Sequence, residues 1–90
     1  MKHLNITVTG QVQGVFYRAE AKERAVELGL TGFTQNEADG SVTLEVEGTE
    51  PVLEKFLDWC REGSRMARVE KVEYLYQDDL KNFTDFTIQK

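Results

Sequence analysis

Residues 10–18, GlyGlnValGlnGlyValPheTyrArg, combine two glycines with one guanidinium in a short stretch. Glycine permits backbone conformations that aim several N–H groups at one point, and a helix starting just downstream adds unpaired N–H groups and a partial positive charge. Arg18, at or near that helix start, brings a planar fork that matches two oxygens of a phosphate at once. The chemistry such a bend suits is capture of a small tetrahedral oxyanion. A glycine-bearing turn can also do no more than reverse the chain, so the flanking elements and the second half of the sequence must decide.

Leu4, Ile6 and Val8 alternate with His3, Asn5, Thr7 and Thr9, the period of a half-buried strand. His3, on the polar side near the terminus, reads as a surface histidine. From Tyr17 to Leu28, the residues Ala21, Ala25 and Leu28 recur at helical spacing, Ala19 and Val26 widen the stripe, and Gly29 suits the stop. The stretches from Gly32 and from Ser41 predict a hairpin reversing at Asp39 and Gly40, with Val42, Leu44 and Val46 facing inward. Thr49 or Glu50 can cap a second helix, with Pro51 in its first turn, an apolar stripe of Leu53, Phe56, Leu57 and Cys60, and Gly63 at its end. Val72, Tyr74 and Tyr76, then Phe86 and Ile88, predict two further strands. The economical arrangement is an α+β sandwich: an antiparallel sheet of four to five strands with two helices on one face.

Ninety residues supply one domain, 1–90, with one core. Cys60 is the single cysteine, so no intramolecular disulfide forms, and no clustered His and Cys set predicts a metal or an iron–sulfur cofactor. The opening residues alternate instead of running apolar as a secretory signal does, and no membrane-length apolar stretch follows; a cytoplasmic location is expected. A net charge of −5 argues against a nonspecific nucleic-acid binder, which needs surplus Lys and Arg. A small anionic ligand is compatible with that charge, because beyond roughly 8 Å at physiological salt the bulk charge is screened. A monomer is the default for such a chain, although an open sheet edge offers a route to pairing.

With the bend and the hairpin both placed, the chain resembles the acylphosphatase family, whose fold is the ferredoxin-like α/β sandwich. One motif is residues 10–18 as quoted; the other is GlyPheThrGlnAsn at 32–36, followed by Gly40, Val42 and Gly48 at family spacing. Weaker similarity runs through PheLeuAspTrp at 56–59 and AlaArgVal at 67–69. Tyr17 stands where the family often has Phe, Phe33 where it often has Trp, Thr34 where a small apolar residue is usual, and Ser64 where Pro is common. The resemblance implies hydrolysis of acyl phosphates to a carboxylate and inorganic phosphate without a metal or other cofactor. It also implies a substrate cradle from Gln13, Gly14, Val15, Phe16, Tyr17 and Arg18, using backbone N–H groups and the Arg18 side chain, and an attacking water oriented by Asn36.

Blander readings stand beside these. Taken alone, Arg18 would be a solvated helix-terminus charge and Asn36 a turn-favouring strand end. Gln13 is read two ways, as a ligand contact and as a tie within its own loop. Val15 and Phe16 are expected to pack under or beside the loop, touching ligand through backbone only, and Cys60 to be a small core residue, not a nucleophile. The rival from another class is a ferredoxin-like module that binds an anion or a protein without turnover; a nucleic-acid reader on this fold comes third, for want of a basic, aromatic strand motif.

Overall fold

The computed structural model describes residues 1–89. The alternating first segment becomes β1 (Lys2–Gln11), followed by α1 (Tyr17–Glu27), β2 (Thr31–Asn36), β3 (Val42–Gly48), α2 (Glu50–Glu62), β4 (Arg68–Gln77) and β5 (Phe86–Gln89). The sheet runs in the order β4-β1-β3-β2-β5. Leu4, Ile6 and Val8 lie opposite Val46, Leu44 and Val42, so the two central strands present their aliphatic side chains on one face, all fully buried.

Both helices cover that face. α2 packs over β1, β3 and β4 with the predicted stripe of Leu53, Phe56, Leu57 and Cys60, and α1 packs over β2 and β5 beside α2. The α1 stripe is narrower than its composition suggests: Tyr17, Ala21 and Ala25 are buried, whereas Ala19 is exposed and Val26 is 59% exposed. A helix over the edge of the sheet has a neighbouring helix on one side only, so its other flank faces solvent. Tyr17 fixes the seam between the helices, donating from its hydroxyl to the Cys60 carbonyl at 2.8 Å, with its ring tilted against Trp59 at 5.1 Å between centroids.

Two expectations need correction. The sheet is mixed: every pairing is antiparallel except β2 with β5, which is parallel. The connection 78–85 leaves β4 at the end of the sheet where β1 begins and crosses at that same end to the far edge, so β5 must run in the direction of β2. His3 is fully buried, not on the surface, because the same connection covers its side of the sheet. Phe83 sits with its ring 6.0 Å from His3 and 5.8 Å from Phe33, and the amides of Lys81 and Asn82 bond the Glu47 carboxylate. Alternation shows which residues share a face; it does not show what a later loop lays over that face.

Candidate active site

At the other end of the sheet β1 finishes, the chain bends through residues 12–16, and α1 begins. A register shift between Thr9 and Gly10 interrupts the ladder with β4, which resumes as Gly10 and Gln11 pair with Val69 and Arg68; a side chain at Gly10 would collide with the Arg68 carbonyl. Gly14 (φ 74) and Phe16 (φ 63) both take left-handed conformations within three residues. Such reversals splay successive N–H groups toward a common concavity. Phe16 occupies the N-cap of α1 and offers no side-chain oxygen to the first turn. Among the described residues, the amides of Gly14 to Ala19 donate no hydrogen bond, and the first amide of this region that does is Glu20, to the Phe16 carbonyl at 3.0 Å. The expected bend is therefore present with its donors uncommitted.

Gly14, Phe16, Tyr17 and Arg18 line a cavity of about 280 Å³ together with Val12, Ala19 and Ile88 of β5. The Arg18 Nη1 donates to the Gln89 carbonyl at 2.9 Å, which anchors the guanidinium at the end of β5. Gln89 lies opposite Gln35, one residue before Asn36. Asn36 pairs with Val42 as Thr34 pairs with Leu44, and thus shares the face on which the helices lie. Arg18, on α1 but tied to the end of β5, and Asn36, at the end of β2, come to the same end of the sheet, where those two strands neighbour one another roughly 5 Å apart. Arg18 is part of the cavity wall and Asn36 is not; Asn36 stands beside it, with a buried Oδ1 that accepts no hydrogen bond among the described residues. Thr34 Oγ1, on the same face, is likewise unpaired.

The side chain of Gln13 resolves its two readings. Its Nε2 donates to the carbonyls of Glu37 at 2.8 Å and Ser41 at 2.9 Å, so the amide is a strut between the bend and the β2–β3 hairpin that carries Asn36. Val15 packs partly against the core as expected, but Phe16 does not pack beneath the loop: it is 68% exposed. Tyr17 is buried, and its hydroxyl is committed to the Cys60 carbonyl of α2. Cys60 is a core residue whose thiol burial pushes up to about 12, far from the range of a nucleophile.

Sequence reasoning missed Ser64, whose hydroxyl donates to the Val15 carbonyl at 2.7 Å and clips the 64–67 turn to the bend, and the carbonyl of Gln89. The first had a signal in the place where Pro is the commoner family residue; the second, a backbone atom, had none. Among the described residues no three His, Cys, Asp or Glu side chains gather as a metal-ligand set, and no helix is long and apolar enough to cross a membrane.

Fold and site together define a small ferredoxin-like α+β sandwich with an open, amide-lined bend at one end of its sheet. The family model for acylphosphatases matches residues 4–88. An acylphosphatase from Shewanella amazonensis is 46% identical over 88 residues, covering 98% of this chain and 97% of the relative. One from Thermus thermophilus is 46% identical over 85 residues, covering 92% and 97%. The crystal structure of the acylphosphatase from Bacillus subtilis superposes with a TM-score of 0.97 at 30% sequence identity, over 100% of both chains. The chain belongs to the acylphosphatase family, and its activity is that of the family, hydrolysis of acyl phosphates.

Proposed function

We propose that the amides of residues 13–18 and the Arg18 guanidinium bind the phosphoryl group of an acyl phosphate, and that Asn36 orients the water that attacks it. The observation that carries this reading is the run of uncommitted amides from Gly14 to Ala19 beside Arg18, with the unpaired Oδ1 of Asn36 at the same end of the sheet.

In the proposed step the water oxygen bonds phosphorus as the bond from phosphorus to the acyl oxygen breaks, and the electron pair leaves with the carboxylate. That leaving group is the base of an acid with pKa about 4, so its departure at neutral pH calls for no general acid. A carboxamide takes up no proton near neutrality; Asn36 accepts a hydrogen bond from water through Oδ1, and the proton goes to a phosphoryl oxygen of the substrate. The remaining tasks are alignment and neutralisation of charge on the equatorial oxygens, which preorganised donors perform. This scheme needs no metal ion. Gln13 acts at one remove, keeping the bend and the Asn36 hairpin at fixed separation.

On this reading the chain works as one catalytic domain, 1–90, in the cytoplasm, as a monomer without nucleic-acid partners; size-exclusion chromatography with light scattering tests the last state. Phosphate release from benzoyl phosphate and acetyl phosphate tests the site. Arg18→Ala and Asn36→Ala are each expected to lose most turnover while remaining folded by circular dichroism. Rates equal to the unsubstituted chain in either variant would remove that residue from the mechanism.

A further inference from the structure

Phe16 violates three preferences at once. It is a large apolar side chain 68% exposed, it sits in the left-handed region that aromatic residues avoid, and it occupies an N-cap where a side-chain oxygen would add stability. Nothing it touches in the core compensates. Such a residue is explained by what its side chain offers outward.

Phe16 lines two cavities: the one that contains Arg18, and a wider open groove of about 570 Å³ bounded by α1, Trp59 of α2 and the 64–67 turn. Met66, 65% exposed, and Trp59 of α2 also line that groove. The Ser64 to Val15 hydrogen bond joins the turn that carries Met66 to the bend that carries Phe16, and both side chains line the groove. Because Phe16 borders both cavities, an acyl substituent on a phosphoryl group seated in the bend has this groove as a neighbouring place to lie. The groove's charged lining is predominantly acidic: Glu20, Glu23 and Glu27 against Arg24 and Arg65, with Arg24 already 3.4 Å from Glu27. An acyl group carrying its own carboxylate is opposed there, and a neutral ring or branched chain gains contact with a thioether and an aromatic face.

We propose that Phe16 and Met66 form the acyl-group subsite, and that the enzyme prefers neutral aromatic and branched apolar acyl phosphates to small or anionic ones. The proposal rests on the phosphoryl site at residues 13–18.

The test is the ratio of kcat/KM for benzoyl phosphate to that for acetyl phosphate, with succinyl phosphate as the anionic comparison and the inhibition constant of inorganic phosphate as the measure of the phosphoryl site. Phe16→Ser is expected to lower the benzoyl-to-acetyl ratio about 10-fold and Met66→Ala about 3-fold, the size of effect expected for removing part of an apolar contact. Leu75→Ala, which deletes an exposed apolar side chain on the distant edge strand β4, should leave the ratio unchanged. Glu23→Gln should raise relative activity on succinyl phosphate about 2-fold, a like-charge effect across an exposed groove. A ratio unmoved in both Phe16→Ser and Met66→Ala overturns the subsite. Should the phosphoryl reading be the one at fault, Arg18→Ala would keep its inhibition by phosphate whatever those ratios do.

Discussion

The two ends of the sheet each contain a non-glycine residue in the left-handed conformation, Phe16 (φ 63) where α1 begins and Asn82 (φ 56) in the connection between β4 and β5. At the second end the chain supplies its own anion. Glu47 accepts from the amides of Lys81 at 2.6 Å and Asn82 at 2.9 Å and lies 2.6 Å from His3 Nδ1, while Glu45 lies 2.9 Å from His3 Nε2 and 3.3 Å from Lys81 Nζ. Asparagine tolerates its conformation, and the amides of Lys81 and Asn82 both have the Glu47 carboxylate as acceptor. At the first end an aromatic residue takes the disfavoured conformation, and the amides from Gly14 to Ala19 meet no carboxylate among the described residues. The same device, a reversal that converges N–H groups, closes a joint where a buried glutamate fills it and leaves its donors free at the end where we propose that the phosphoryl group binds.

The comparison breaks most sharply at Arg18. Arg18→Ala should cost about 10³-fold in kcat/KM with acyl phosphate, and Arg18→Lys about 10²-fold, because an ammonium keeps the charge and loses the fork. Steady-state kinetics at fixed ionic strength read both, and an undiminished Arg18→Lys would mean that charge alone is required. Asn36→Ala should lower kcat by about 10²-fold and leave inhibition by phosphate within about 3-fold; a matching loss of phosphate affinity would make Asn36 a binding residue.

At the closed end the effects fall on stability. Glu47→Gln should destabilise the fold by about 2 kcal/mol in urea unfolding, since the charged acceptor of two amides and an imidazole is lost from a buried place, while phosphate inhibition stays unchanged. Loss of phosphate affinity in this variant would mean that the two ends are coupled. Burial raises the Glu47 carboxyl, but the bonds from His3 and from the amides of Lys81 and Asn82 outweigh it and hold the group below its ordinary value of 4.5. A depressed carboxyl contributes stability that is complete above the unfolded value and disappears as pH falls through the folded one. Urea midpoints should thus decline below about pH 4.5, and Glu47→Gln should flatten part of that decline; parallel curves for the two proteins would deny Glu47 a share. The smallest effect belongs to the exposed Lys2 and Asp78 pair at 2.8 Å, where Asp78→Asn should leave the urea midpoint unmoved.

Much of this was legible because each helix and inner strand has a simple apolar period. Leu4, Ile6 and Val8 on β1, Val42, Leu44 and Val46 on β3, and Leu53, Phe56, Leu57 and Cys60 on α2 are buried as their spacing predicts. Failures came where burial depends on a distant segment. His3 reads as a surface residue in an alternating pattern, and the connection 78–85 covers it together with Glu47. Val26 and Ala19 looked like part of a stripe because period alone does not say how wide a groove the helix must fill. Phe16 looked like packing because apolar residues usually are, yet its backbone conformation throws the ring outward.

By itself the sequence determined the residue types at the bend, the faces of the inner elements and, through two motifs and their spacing, the family. Those depend on local conformation and periodicity, which neighbouring residues specify. The tertiary structure alone decided that β5 runs parallel to β2 and brings the Gln89 carbonyl to Arg18, that Gln13 braces the Asn36 hairpin, and that Glu47 fills one reversal while the other stays open. Each is a contact between segments far apart in the chain, set by where the sheet places strand ends, and no local pattern encodes that placement.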